Sequence, residues 1–461
     1  MSFTRRTFLI GAGTGVSVLV LAACTGPEPT IPTLTPTPQP SDGVPAPVKL
    51  WRSNWAADPL AQGAVSFLPV GSNLEDRTAL RSPLHNRVFF AGEATSDAPG
   101  TVRGAIESGA RAAREVIDVV AAKERVGIVG AGAAGAEAAR VLTALGIDVI
   151  VFEARDRSGG RIDSRVDEDG KFFELGAWEL AVEGDSLLIA DVDTVPLDGT
   201  IAVSVSSGLA TGDVADLVAV QKDVSARLAA WANEQSTSDT GIASSLKDSG
   251  ASAAAGVVGD IPADDMPPLY AEAARLAAGS EPEDISTWFP PTAIGAASVI
   301  PTGKLSSIVS TKLDGVTLAL STAVVAVAYD DNAVSLRLGT GESRRVDRAI
   351  ITVPLGVLKA GAVEFDPPLP LPTRSAIDSV GFGQVEVVRV AFDTAFWTTD
   401  AAMWSLVGTD AEITTWVNLQ PLTGETTLLG IAAGDAAASL SDVDDAALTQ
   451  MVRRMLAPFA G

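Results

Sequence analysis

Cysteine and histidine are almost missing from this 461-residue chain, which holds one of each, Cys24 and His85. An internal disulfide is thereby excluded, and no cluster of soft metal ligands is available, so metal chemistry is set aside. Basic residues are also scarce: 33 against 57 acidic ones leave a formal charge of −24. That balance favours solubility and excludes nucleic acid as a partner. Tyrosine occurs only twice, at Tyr270 and Tyr329. The apolar run from Phe8 to Ala23 falls short of the ~20 residues that a membrane-spanning helix needs. What the chain does have is apolar content, 47% of its residues, enough at this length to bury a large core in two or three domains.

Residues 1–24 stand apart from the rest. Thr4-Arg5-Arg6-Thr7-Phe8-Leu9 leads into the apolar run, which ends Leu21-Ala22-Ala23-Cys24. The pattern resembles a twin-arginine export signal closed by a lipoprotein cleavage box. A short membrane helix is the competing reading, and glycines at positions 11, 13 and 15 weigh against it. The resemblance implies passage through the twin-arginine translocase, cleavage before Cys24 and acylation of its sulfur. The protein would then be anchored on the outer face of a bacterial cytoplasmic membrane. Residues 25–47 carry eight prolines among threonines and no apolar periodicity. A semi-extended tether of at most about 70 Å is expected there.

Residues 48–86 read as loop-rich. Val88 to Ala91 reads as a short buried strand, and Thr101 to about Ala122 as a helix. Strand Arg125 to Val129, helix Ala133 to Leu145 and strand Ile147 to Phe152 then make a βαβ unit of dinucleotide-binding size. Between about 180 and 300 signals are few: one helix from Val214 to Trp231 and another from Pro268 to Ala278. Alternation from Val316 to Val353 and from Val385 to Phe392 predicts strands, and Ser441 is placed to cap a last helix through Leu456.

The chemistry begins at Gly130, Gly132 and Gly135, a G-x-G-x-x-G set between strand and helix. The first glycine permits a tight turn, the second lets a pyrophosphate approach the backbone, and the third lets helix pack on strand. Glu153 closes the second strand at the spacing of a carboxylate that accepts from ribose hydroxyls. The run Glu153-Ala154-Arg155-Asp156-Arg157-Ser158-Gly159-Gly160-Arg161 extends the fingerprint, and a guanidinium fork suits a diphosphate. Arg155 and Arg157 also read as solvated loop charges.

This extended fingerprint is similar to that of the flavin-containing amine oxidase family. A second set, Ala91-Gly92-Glu93-Ala94 with Pro99-Gly100-Thr101-Val102-Arg103-Gly104-Ala105, resembles the family's flavin-end signature. Trp55-Ala56-Ala57-Asp58-Pro59-Leu60-Ala61-Gln62-Gly63 resembles its approach to the same site, and Thr352-Val353-Pro354-Leu355-Gly356-Val357-Leu358 and Phe396-Trp397 follow its later strands. The resemblance implies non-covalent FAD, because no cysteine lies near the flavin motifs. It assigns FAD contacts to Gly130, Gly132, Gly135, Glu153, Ala154, Arg155, Gly159, Gly160, Arg161, Gly176, Ala177, Trp178, Val324, Gly92, Glu93, Thr101 and Val102. Glu93 would bond the ribityl chain, Val324 would meet the adenine, and Thr101 and Val102 would lie at the flavin's pyrimidine side.

The family's closing motif precedes its opening one here, so the chain resembles a circular permutant. Gly461 and Val48 are then expected within about 20 Å of each other. The implied fold is α/β: a Rossmann-like, glutathione-reductase-type FAD-binding domain of residues 48–182 and 298–358. A substrate domain of residues 183–297 and 359–461, α+β with a mixed sheet, completes it.

Three positions depart from the family. Its usual lysine, which holds a water at the flavin, falls at Val387, and strand alternation turns Glu386 away. Its aromatic cage positions fall at Val65 and Thr101. Trp51, Trp178 or Trp404 would substitute, with a core role as the other reading of each, and His85 reads as a surface residue. The expected function is FAD-dependent oxidation of a small-molecule amine, amino acid or polyamine with O2 as acceptor. The alternatives are a flavin dehydrogenase of a non-amine substrate using a quinone, and an FAD-binding lipoprotein without turnover.

Overall fold

A computed structural model describes residues 43–235, 238–291, 296–409 and 411–461. The expected export signal, with Arg5, Arg6 and Cys24, and the tether through residue 42 lie outside the described residues.

The apolar run after Arg125 becomes the middle strand of a five-stranded parallel sheet. Its order is Thr317–Ala319, Asp148–Phe152, Arg125–Val129, Arg348–Ile351, Val88–Phe90. Both faces are covered, so the central strands are almost wholly apolar instead of alternating. On one face Val126, Ile128 and Ile350 meet Ala112, Ala113 and Val116 of helix Val102–Ile117, and Ala138 and Leu142 of helix Ala133–Ala144. On the other face Val129, Ala349 and Ile351 meet Val327, Leu336 and Val346 of a four-stranded sheet. The two helices cross so closely that a Cβ on Gly109 would come within 2.1 Å of the Ala134 carbonyl oxygen.

Helix Val102–Ile117 starts as expected, with the Thr101 hydroxyl accepting from the Gly104 amide at 2.9 Å. It stops five residues short of Ala122. The cause is tertiary: buried Arg348 donates to the Val119 carbonyl at 2.6 Å and to Glu124 at 2.7 Å, drawing the chain into a non-helical connection. Ala122 and Lys123 in that connection are exposed.

A seven-stranded mixed sheet forms the second layer system, ordered Lys49–Arg52, Val385–Ala391, Thr427–Ala433, Thr415–Asn418, Met403–Leu406, Thr200–Val205, Gly208–Asp213. All neighbours are antiparallel except Thr200–Val205 with Met403–Leu406. Residues 48–86 are thus more ordered than their turn-rich sequence predicts. Lys49–Arg52 pairs with Val385–Ala391, and Asn73 and Asp76 form a reciprocal cap on helix Leu74–Leu80. Along Val385–Ala391, Val388 and Val390 join Trp404, Trp416 and Phe459 in one core. Val385 and Val387 face the opposite way, onto Phe173 and Leu175.

The last helix, Asp445–Leu456, is capped by Asp444, whose carboxylate accepts from the Ala447 amide at 2.8 Å, and not by Ser441. Ser441 ends an earlier helix, Gly434–Leu440, in helical geometry, and its hydroxyl is donated back to the Ala438 carbonyl. Within residues 183–297 helix Val214–Glu234 forms as expected, and Met266–Ala278 begins two residues before Pro268, with prolines in its first turn. The carbonyl oxygen of Gly461 lies 3.5 Å from where a Cβ on Gly43 would sit. Val48 follows five residues on, within about 18 Å of extended chain. No described helix is long and apolar enough to cross a membrane.

Candidate active site

Helix Ala133–Ala144 opens at Gly132 without a side-chain cap, so its first-turn N–H groups face outward for an anion or solvent. Gly135 is fixed by packing, because a Cβ there would stand 2.0 Å from the Gly130 carbonyl oxygen. Gly132 is different. A Cβ on it would meet nothing nearer than Gly159 and Gly160 at 4.0 Å, so a side chain would fill open space, not strike protein. That cradle is shaped for a group the chain does not supply.

Glu153, at the end of Asp148–Phe152, accepts from the amides of Ala131 at 2.7 Å and Arg155 at 2.8 Å. It thereby holds the glycine loop against the second strand. Arg155 is no solvated charge: it pairs with Asp58 at 2.7 Å and ties the Trp55 segment to the fingerprint. Arg157 bonds the Ile162 carbonyl at 3.1 Å and Asp163 at 3.2 Å, which folds the 157–163 turn on itself, and it does not border the cavity.

The flavin-end motif meets this loop through Glu93. Its carboxylate is 4% exposed and accepts from Ser66 at 2.6 Å, the Gly100 amide at 2.8 Å and Arg161 at 3.1 Å. Burial pushes this carboxyl up, but Arg161, Ser66, Arg77 and Gly100 together hold it below the usual carboxylate range. Arg161 also donates to the Ala64 carbonyl and lies over the Phe382 ring at 5.3 Å. The stretches near 93–101 and 130–161, distant in sequence, therefore wall one space.

That space is a cavity of about 630 Å³. It is bordered by Gly92, Glu93, Thr101, Val102, Gly130, Gly132, Glu153, Ala154, Arg155, Gly159, Gly160, Arg161, Gly176, Ala177, Trp178 and Val324, together with Val65 and Val387. Of the residues expected to touch FAD, Gly135 alone does not border it, being spent on helix packing.

Among the tryptophans, Trp178 and Trp404 reach the wall, but Trp404 is fully buried and stacked on Phe459 at 4.6 Å, so it is core. Trp51 does not border the cavity and packs on Phe173 instead, whereas Trp55 does border it and donates to the Leu175 carbonyl at 3.0 Å. Glu386 points away, as alternation predicts. The ladder from Val385 to Ala391 has no register shift, and Glu386 bonds Ser53 and the Ala56 amide. His85 is exposed, 2.7 Å from Asp331.

The far end of the cavity was not marked in the sequence. Leu217, Val218 and Gln221 of Val214–Glu234 and Leu269, Glu272, Ala273, Leu276 and Ala277 of Met266–Ala278 line it. Their i, i+3, i+4 spacing is legible, but it reads equally as a core face.

A parallel sheet with a glycine-rich turn and an acid at the next strand end defines a dinucleotide-binding protein. A family described as NAD(P)-binding Rossmann-like domain matches residues 128–180. The family described as flavin containing amine oxidoreductase matches residues 30–117 and 286–461. The chain belongs to that family, and its cofactor is FAD.

Polyamine oxidase 4 of Oryza sativa subsp. japonica is 32% identical over 145 residues, 32% of this chain and 30% of its own. Lysine-specific histone demethylase 1 homolog 1 of Arabidopsis thaliana is 25% identical over 362 residues, 71% of this chain and 41% of its own. The chain thus spans well under half the length of these relatives. The solved structure of cyclohexylamine oxidase from Brevibacterium oxydans is similar with a TM-score of 0.57 at 18% identity, covering 74% of this chain and 82% of that one. Putrescine oxidase bound to putrescine is similar with a TM-score of 0.53 at 18% identity, covering 72% and 81%. At that identity the likeness concerns the fold.

Proposed function

We propose that this chain is an FAD-dependent oxidase of a small-molecule amine, with O2 as the acceptor. Bound FAD supplies the two-electron acceptor for oxidation at the carbon next to nitrogen. In this reading Gly130, Gly132 and the helix after them hold the pyrophosphate with Arg161, Glu153 takes the ribose, and Val324 meets the adenine. Glu93 holds the ribityl chain, and Gly176, Ala177, Thr101 and Val102 border the ring. The wall from helices Val214–Glu234 and Met266–Ala278, apolar but for Gln221 and Glu272, excludes water and aligns the substrate.

The observation that carries the reading is the Glu93 to Arg161 contact at 3.1 Å, which closes both motif stretches around one cavity. The FAD-loaded protein is expected to release peroxide and a carbonyl product in equal amounts from members of an amine panel. A yellow protein that oxidises none of them would end this reading. A second acceptor is favoured by one observation: Val387, Val65 and Thr101, which stand where the family carries its lysine and its aromatic cage, all border the cavity. Reduction by substrate with transfer to a quinone and no peroxide is the outcome that marks a dehydrogenase.

The proposal extends to chain organisation. Residues 48–182 and 298–358 are taken as the FAD-binding part and 183–297 with 359–461 as the substrate part, with strand Lys49–Arg52 shared by the substrate part's sheet. The order is taken as circularly permuted, supported by Gly461 lying beside Gly43 and by the short connection at 118–124. A chain joined from Gly461 to Gly43 and opened between exposed Ala122 and Lys123 is expected to fold and bind FAD. A colourless, unfolded product would count against permutation. Export by the twin-arginine route and a lipid anchor at Cys24, facing outward from a bacterial cytoplasmic membrane, complete the proposal. Fatty-acid labelling of the wild type that persists in Cys24→Ala would refute the anchor.

A further inference from the structure

Among the described residues five carboxylates border the cavity: Glu93, Glu153, Glu179, Asp185 and Glu272. Four are already engaged. Glu93 has Arg161, and Glu153 has two backbone amides. Asp185 accepts from the Ala181 amide at 3.0 Å and lies 3.9 Å from Arg103. Glu272 accepts from Thr414 and pairs with Arg275 at 3.1 Å. Glu179 has only the Ser298 hydroxyl and no cation.

It stands just before the short strand Leu180–Ala181 on the cavity wall. The next residue, Leu180, is 1% exposed and sealed into the helix-covered core, where its strand pairs with Ser298–Pro301. Glu179, Leu180 and Ala181 all border the cavity, and of the three only Glu179 carries a charge. Glu179 is half-buried, and a carboxylate partly withdrawn from water without a counter-ion is unfavourable, so burial pushes its carboxyl up. The complement it lacks is a cation able to enter a cavity walled by Leu217, Val218, Leu269 and Leu276. An alkylammonium has both properties.

We propose that Glu179 is the specificity-determining residue of this cavity, binding the ammonium of an amine whose apolar body lies along helices Val214–Glu234 and Met266–Ala278. This rests on the amine reading above and assigns it a recognition group. The charge-assisted bond selects an amine over the alcohol of the same shape, which leaves the carboxylate unpaired.

The test uses the FAD-loaded protein and binding as well as turnover. A tertiary-alkyl primary amine without a hydrogen on the carbon bearing nitrogen, which cannot be oxidised there, and its alcohol isostere are titrated into wild type, Glu179→Gln and Glu179→Asp. Calorimetry or the flavin spectrum reads the binding. Glu179→Gln is expected to weaken the amine at least tenfold and leave the alcohol unchanged, with unaltered FAD affinity, and Glu179→Asp to recover part of the loss. With oxidisable substrates KM rises more than kcat falls. If monoamines and diamines suffer alike, Glu179 holds the reacting nitrogen; if diamines alone suffer, it holds the distant one. Equal amine binding by wild type and Glu179→Gln overturns this assignment and spares the amine reading. A wild type that takes FAD but binds no amine overturns both.

Discussion

Glu93→Ala is expected to purify without flavin, with FAD affinity lowered at least 100-fold. The carboxylate is buried and placed between two guanidiniums, Arg161 at 3.1 Å and Arg77, which reaches the shared Ser66 hydroxyl at 2.9 Å. Deleting it removes the carboxylate that offsets both cations, one of them, Arg77, buried. Removing one partner of such a buried group costs about 3–5 kcal/mol. The damage is also geometric, since Glu93 accepts from the Gly100 amide and so fixes the turn before Thr101 and helix Val102–Ile117. Flavin fluorescence titration and denaturant unfolding of the apoprotein read the two effects separately. Glu93→Gln, which keeps acceptors for Ser66 and Gly100, is expected to lie between. A Glu93→Ala protein with wild-type flavin affinity would show that the 93–101 stretch does not hold the cofactor.

The parts of the site that were legible in the sequence are those dictated by backbone sterics. Gly130, Gly132 and Gly135 do three different jobs at fixed spacing, and their order alone places strand, turn and helix. Val387 and Glu386 were separable because a strand alternates with period two. What escaped was set by tertiary context. The helix from Val102 ends at Ile117 because Arg348, 231 residues beyond the helix end, takes the Val119 carbonyl. Ser441 and Asp444 are both good caps three residues apart, and only the preceding helix Gly434–Leu440 decides between them. The helices over the far cavity present Leu217 and Gln221 or Leu269 and Glu272 at ordinary amphipathic spacing. Nothing in that spacing tells a cavity wall from a packed core. The Asn73 and Asp76 cap was readable as an N-x-x-D signal and fell within a stretch whose turns dominated the reading.

Glu174 should make the folded chain markedly less stable as pH rises from about 4.5 to about 8. It sits at the end of strand Phe172–Glu174, just before Gly176 and Ala177 of the site, and is 4% exposed. Burial pushes its carboxyl up to about 8; Ser164 and the Leu305 amide oppose that rise, Asp163 adds to it, and Arg157 partly offsets it. One carboxyl oxygen, Oε2, has no hydrogen-bond partner, an arrangement a neutral acid tolerates better than an anion. Between the unfolded and folded values the native state binds one more proton than the unfolded chain, so stability falls with pH there. The contribution is complete below about 4.5 and lost above about 8, and at 1.36 kcal/mol per unit it amounts to roughly 3–5 kcal/mol. Glu174→Gln keeps the acceptor for Ser164 and Leu305 and cannot ionise. Urea unfolding of both proteins at pH 5, 6.5 and 8 should find them close at pH 5 and the variant more stable by several kcal/mol at pH 8. Parallel pH profiles would mean that Glu174 is ionised in the fold.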